Sequence, residues 1–218
     1  TIWYIREAQN LTYQYFFSDI RRYYAIMRAE NIYTVSEYAE KYIVENYNPH
    51  VHVIHNCVED EAIEYVKSLQ KKNEIIKFLA LGTLEERKQF DVFINAYIDL
   101  TDEERSQCEV HFAGNIWDDH FEYATMLLEL TEKQSGVFYH GEIQERKDLL
   151  QLIEDCDVIV VPSKDESCSL VVLEAAMMSK PLIISENIGA KYIVTPNNGW
   201  IFETGNTIQL KQIFPAKC

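Results

Sequence analysis

In "KDESCSLVVLEAAMMSKP" (residues 164–181), Glu166 and Glu174 flank seven residues, five of them apolar or cysteine. Glu166 follows "DVIVVPS", an apolar run that reads as a buried strand, and Glu174 falls inside a stretch that reads as a largely buried helix. A carboxylate is costly to bury without a partner, so each must face a donor. Carboxylates accept paired hydrogen bonds from vicinal diols, each worth about 1.5–3 kcal/mol when one partner is charged. Between the two acids the helix start points the amides of Ser169, Leu170 and Val171 outward, an anion site that needs no basic side chain. Glu174 lies one to two turns further on, with its side chain tilted back toward that N-terminus. A ligand with both phosphate and hydroxyls fits this arrangement, and a sugar nucleotide offers a ribose diol, a diphosphate and a second sugar. The candidate cations are in "LGTLEERKQFD", where Gly82 ends a strand and Arg87 and Lys88 open the next helix. Either can reach a diphosphate at a neighbouring strand end. The competing reading makes them a solvated pair answering Glu85 and Glu86.

The elements that must position these residues follow from periodicity. From residue 75, "IIKFLALGT", "CEVHFAG", "GVFYHGE", "DVIVVPS", "PLIISEN" and a short "WIFET" read as strands. "KQFDVFINAYIDL", "DDHFEYATMLLELTEK", "RKDLLQLIEDC" and "LVVLEAAMMSK" between them carry apolar residues at helical spacing. Asp118 or Asp119 is the expected cap of the second of these helices. Alternating strands and helices predict an α/β fold with a parallel, doubly wound, Rossmann-like sheet. Ligands in such sheets bind beyond the carboxyl ends of the strands. Those ends are Gly82-Thr83, Gly114-Asn115, Gly141-Glu142, Ser163 to Glu166 and Glu186 to Gly189. The first fifty residues differ: "TIWYIRE" and "IYTV" are strand-like, residues 12–29 are aromatic-rich and helical, and "SEYAEKYIVEN" is a helix capped by Ser36. The Asn48-Pro49 turn signal divides the chain into 1–50 and 51–218.

A net charge of −15, from 20 basic and 35 acidic residues, argues against nucleic acid or an anionic membrane as the main partner. A hydrophobic fraction of 47% supports a sizeable core. The five cysteines are scattered without a Cys-x-x-Cys pair, which predicts reduced thiols, a cytoplasmic setting and no zinc site. No apolar run approaches the roughly 18–20 residues of a membrane helix, and there is no signal peptide. The absence of an initiator Met is read as a fragment. His111 and His140 read as packed or strand-end histidines. "DDH" reads as a helix start, and "HVHVIH" as a strand with one polar face. The aromatics Tyr13, Tyr15, Phe16, Phe17, Tyr23 and Tyr24 read as an interface.

"GTLEERKQFDVFINAY", "VFYHGEI", "LLQLIEDCDVIVVPSKDESCSLVVLEAAMMSKPLI" and "NNGWIF" together resemble the C-terminal, donor-binding domain of retaining glycosyltransferases with the GT-B fold, family 4 type. The two glutamates with seven residues between them after a Pro-Ser strand end are its most specific mark, and the likeness runs from about residue 32 to about 208. This resemblance implies that 51–218 is the nucleotide-sugar donor-binding domain and 1–50 a short α/β piece of its partner, the N-terminal acceptor-side domain. The resemblance implies that Glu174 binds the ribose hydroxyls and that Glu166 holds hydroxyls of the transferred sugar. Lys88, with Arg87, Gly82, Thr83 and the amides of Ser169, Leu170 and Val171, would take the diphosphate, and the backbone around Glu142 and Ile143 would meet the base. It implies a nucleotide sugar as donor, a glycan or lipid-linked acceptor, no bound metal or cofactor, and at most peripheral membrane association through the absent part of the protein. The sequence departs from the pattern at Thr83, where many members carry arginine, and at Gln89 and Ser169, where glycine is common. It also departs at Arg6, where relatives often carry histidine. These departures motivate a second reading, a non-catalytic nucleotide-sugar-binding or regulatory module with a degenerate site. A flavodoxin-like small-ligand domain would give no reason for Glu166, Lys88 and Glu174 to converge.

Overall fold

The computed structural model describes residues 2–5, 24–58 and 75–214. Its larger sheet has six strands: β4 (Ile76–Leu81), β5 (Cys108–Ala113), β6 (Val137–Tyr139), β7 (Val158–Val161), β8 (Leu182–Ser185) and β9 (Gly199–Phe202). Their order is β6-β5-β4-β7-β8-β9, and every pairing is parallel. The strands read as continuous apolar runs because both faces are covered. Along β4, Phe78 and Ala80 enter one core while Leu79 and Leu81 enter the other, the two-residue alternation of a pleated strand.

Helices divide between the faces by their apolar stripes. α2 (Phe90–Ile98) and α4 (Phe121–Lys133) bury Phe93, Ile94, Tyr123 and Leu127 in the first core. α5 (Arg146–Asp155) and α6 (Leu170–Met177) bury Leu150, Ile153, Val172 and Leu173 in the second. This is the doubly wound α/β arrangement expected from the strand and helix alternation.

A separate three-stranded parallel sheet joins β1 (Ile2–Ile5), β2 (Asn31–Thr34) and β3 (Val51–Val53) in the order β1-β2-β3. α1 (Glu37–Asn46) connects β2 to β3, and the Ser36 side chain accepts a hydrogen bond from the Ala39 N–H as its cap. Val51–Val53 pairs with Ile32–Thr34, so the segment predicted to open the second unit completes the first sheet. The Asn48-Pro49 turn lies inside this sheet's connection and does not end it.

Three further differences have local causes. The predicted Asp118 or Asp119 cap does not form: Asp118–His120 is a 3-10 turn preceded by Trp117, with no side-chain cap. A short helix, α3 (Asp102–Arg105), is closed by a capping box between Thr101 and Glu104. A last helix, α7 (Thr207–Ile213), was not foreseen. It starts at Asn206, whose side chain accepts from the Gln209 N–H. Leu210, Ile213 and Phe214 enter the first core, and the Phe214 ring lies 4.3 Å from that of Phe78. Arg6, most of the aromatic cluster and residues 12–23 of the helix expected over 12–29 lie outside the described residues.

Candidate donor site

The strand order creates one place for chemistry. The chain runs from β4 outward to β5 and β6, then returns to β7 on the other side of β4. Loops leaving β4 and β7 therefore diverge, and a crevice opens between them at the carboxyl edge, the general ligand site of such sheets. Of the residues singled out from the sequence, Gly82, Thr83, Arg87 and Lys88 follow β4, and Glu166 follows β7.

Lys88 closes the 3-10 turn Glu86–Lys88 after β4, and its Nζ donates to Glu166 Oε1 on the β7 loop at 2.5 Å. The Ser163 hydroxyl donates to the same oxygen at 2.6 Å. Ser163 is itself held through its carbonyl, which accepts from Ser185 Oγ at 2.5 Å. Glu166 is only 7% exposed, and its backbone pairs with β8's exit through Glu166 N–H to Asn187 O and Gly189 N–H to Glu166 O. Backbone, hydroxyl and ammonium together fix this carboxylate. Among the described residues no donor reaches its second oxygen.

Two glycines let the edge assemble. At Gly82 (φ 146°) a Cβ would sit 3.2 Å from Cε of Lys88, so the lysine stem lies across a backbone without a side chain. At Gly114 a Cβ would lie 1.6 Å from the Gly82 carbonyl oxygen, a separation that only glycine permits. Thr83 follows Gly82, with its carbonyl accepting from the Glu85 N–H.

Arg87 is engaged with its surroundings. One guanidinium nitrogen donates to Glu85 Oε1 at 2.5 Å and the other to the Asp165 carbonyl at 3.1 Å, while the Arg87 carbonyl accepts from the Lys164 N–H. The two diverging loops are thereby strapped together. Burial pushes the neighbouring Asp165 carboxyl above its ordinary value; Arg87 opposes this and the Glu166 charge adds to it. Of the two candidate cations, Lys88 faces the crevice acid, and Arg87 serves the solvated-pair reading in part and the loop strap in part.

Glu174, in the middle of α6, is 6% exposed and takes a different cation. Arg146 Nη1 donates to Glu174 Oε1 at 2.7 Å, reaching from the first residue of α5. The structure thus joins Lys88 with Glu166 and places Glu174 on a second ion pair. Ser169 stands at the N-cap of α6 with ordinary extended backbone (φ −93°, ψ 112°), so serine in place of glycine carries no strain there. Its hydroxyl makes no cap bond, and the first amides of α6, including Leu170 and Val171, have no acceptor within the helix. Ile143 is half-buried against the second core, in the segment between β6 and α5.

Comparison with known proteins decides the family. The profile of glycosyl transferases group 1 matches residues 61–214, more than two-thirds of the chain. The chain belongs to that family. No curated protein matches it. Among solved structures, HepE from Anabaena in complex with UDP and glucose is similar with a TM-score of 0.77 at 17% identity, over 98% of this chain and 60% of that one. Sucrose-phosphate synthase from Thermosynechococcus elongatus gives 0.75 at 18% identity, over 94% of this chain and 53% of the other. A trehalose-6-phosphate synthase studied for glycosyl transfer with retention gives 0.76 at 10% identity, over 92% and 56%. The chain therefore spans 53–60% of the length of these three proteins.

Within this group 1 glycosyltransferase fold, sequence reasoning missed Arg146 and underweighted Ser163. Arg146 opens a helix, where the macrodipole disfavours a cation, and that local mismatch was the available signal. Ser163 was seen as a neighbour of Glu166 and not as its donor, because a contact three residues away depends on the turn the loop makes. Four histidines make contacts within the fold. His111 is buried in β5, bonded to His140 at 2.9 Å and stacked on Phe138. His120 pairs with Glu86 at 2.8 Å, and the His55 ring lies 4.1 Å from Tyr192. Among the described residues no helix is long and apolar enough to cross a membrane.

Proposed function

We propose that this chain is mainly the donor-binding half of a retaining glycosyltransferase, moving a sugar from a nucleoside diphosphate to a hydroxyl of a glycan or lipid-linked acceptor. The observation that carries this reading is the Lys88–Glu166 pair at 2.5 Å across the crevice between β4 and β7. It places an ammonium and a carboxylate, with one oxygen still open, at the edge where this family's fold takes ligands. HepE is seen with UDP and glucose, and the trehalose-6-phosphate synthase transfers with retention, which supports a nucleotide-sugar donor and the stereochemical course.

In this reading the open oxygen of Glu166 takes hydroxyls of the transferred sugar and Glu174 takes the ribose diol. The diphosphate lies over Gly82 and Thr83, against Lys88 and the amides of Ser169, Leu170 and Val171. Lys88 has three N–H donors, enough to keep Glu166 and still meet a phosphate oxygen. Arg87 contributes by strapping the loops and by its charge, and the backbone at Ile143 meets the base. Retaining transfer breaks the anomeric carbon–phosphate oxygen bond while the acceptor oxygen bonds from the same face. The acceptor's proton passes to the leaving phosphate. The chain's task is to stabilise the developing negative charge with preorganised donors, a role that requires no metal or other cofactor. Residues 1–50, together with β3, belong with an acceptor-side domain, and the setting is cytoplasmic with membrane contact at most peripheral. The degenerate-site reading is favoured by one observation, the engagement of Arg87 with Glu85 and Asp165.

Calorimetric titration with UDP, GDP and ADP tests the proposal. One diphosphate should bind, and Glu174→Ala should weaken it about tenfold or more, ~1.4 kcal/mol. Absence of binding by all three would sink the donor-site reading for this chain.

A further inference from the structure

The Glu174–Arg146 pair joins two elements that meet nowhere in sequence. Glu174 is nearly buried, whereas the Arg146 side chain is 38% exposed, so the arginine reaches in from the rim of the site. It sits at the first position of α5, immediately after the segment 140–145 that carries Ile143. A cation there opposes the helix dipole, and local sequence gives it no reason to be present. Its guanidinium occupies Oε1 of Glu174, and among the described residues no donor reaches Oε2.

We propose that Arg146 is a positioning residue for the nucleoside end of the donor site. It holds Glu174 by one oxygen and aims the other at a vicinal diol, linking the base-side segment to the ribose-side carboxylate. This rests on the donor-site reading above. The physical requirement is simple. A buried carboxylate without a partner is unfavourable, and one with a free χ3 torsion does not present a fixed edge to two adjacent hydroxyls. A guanidinium bonded to Oε1 balances the charge and fixes the carboxylate's torsion, which lysine, a point charge on a flexible stem, does only in part. The pair therefore makes the site selective for ribose over 2′-deoxyribose, with recognition coming from a carboxylate that the chain's own arginine has oriented.

The test compares the diphosphate that binds in the titration above with its 2′-deoxy analogue. The wild-type chain should favour the ribonucleotide by about tenfold or more, as expected for a charged hydrogen bond. Arg146→Met should bring that ratio to within about twofold, a loss of the same bond, and Arg146→Lys should restore part of it. In a Glu174→Gln background, Arg146→Met should produce no further change, because the two residues act as one unit. A merely structural salt bridge would lower melting temperature without moving the ribose ratio. Arg146→Met retaining the wild-type ratio overturns the inference and leaves the donor site standing, as does a wild-type ratio near one. A wild-type chain that binds no nucleoside diphosphate removes both.

Discussion

Gln89 enters α2 in the left-handed region (φ 50°, ψ 42°), next to the lysine that pairs with Glu166. An L-residue with a Cβ is strained there, and among the described residues the buried Gln89 side-chain carbonyl oxygen meets no donor. Ser179, just past α6, has the same problem at φ 57°. The sequence departure noted at Gln89 thus has a backbone meaning, whereas the one at Ser169 has none. Replacing Gln89 by glycine removes strain of about 1–3 kcal/mol and adds about 0.5–1 kcal/mol of unfolded-state entropy. Gln89→Gly should therefore raise the unfolding free energy by about 1 kcal/mol in urea denaturation. An unchanged or lower stability would show that the glutamine side chain compensates through packing.

At the scale of elements, β5 and β6 carry a titratable link. His111 and His140 share a hydrogen bond of 2.9 Å, which requires at least one ring nitrogen to be unprotonated. Burial pushes the His111 imidazole below its ordinary value; the Glu109 carboxylate raises it, and His140 and Lys77 lower it further. Burial and then Lys77 lower His140. Both rings are therefore harder to protonate in the fold, while the unfolded chain takes up protons near pH ~6.5. Stability is fully present above that value and is lost as pH falls through the folded-state values. Urea unfolding between about pH 7 and pH 5 should show this loss, and His140→Gln should make it shallower. An identical pH dependence in the variant would assign the effect to other groups.

For the whole molecule, the small sheet meets the large one at the candidate site. Ser36 Oγ, fully buried at the head of α1, donates to the Ser167 carbonyl at 2.5 Å. A Cβ on Gly189 would fall 1.8 Å from that carbonyl oxygen and 2.5 Å from the serine oxygen. The first unit is thus seated on the loop that carries Glu166. Ser36→Ala leaves the Ser167 carbonyl without this donor and should cost about 1–3 kcal/mol. It should also speed amide exchange at Glu166 and Gly189, whose N–H groups hold the loop to the exit of β8. Faster exchange confined to α1, with the loop unaffected, would contradict a seating role.

The periodicity of the chain determined nearly all of the large sheet and its helices, because the 2.0 and 3.6 repeats are local properties of backbone geometry. It also determined which edge to search and that Glu166 and Glu174 needed partners, since burial of a carboxylate is unfavourable whatever the fold. It passed over α7, a helix short enough that Asn206, Leu210, Ile213 and Phe214 form a weak pattern. It did not show that β3 pairs with β2, because strand pairing is non-local. Which cation meets which acid was decided only in three dimensions. Lys88 and Glu166 are 78 residues apart and Arg146 and Glu174 are 28 apart. These pairs exist because β4 and β7 are neighbours and because α5 and α6 share one face of the sheet. Strand order follows from how two apolar faces are covered at once, a property of the assembled core that no short stretch of sequence contains.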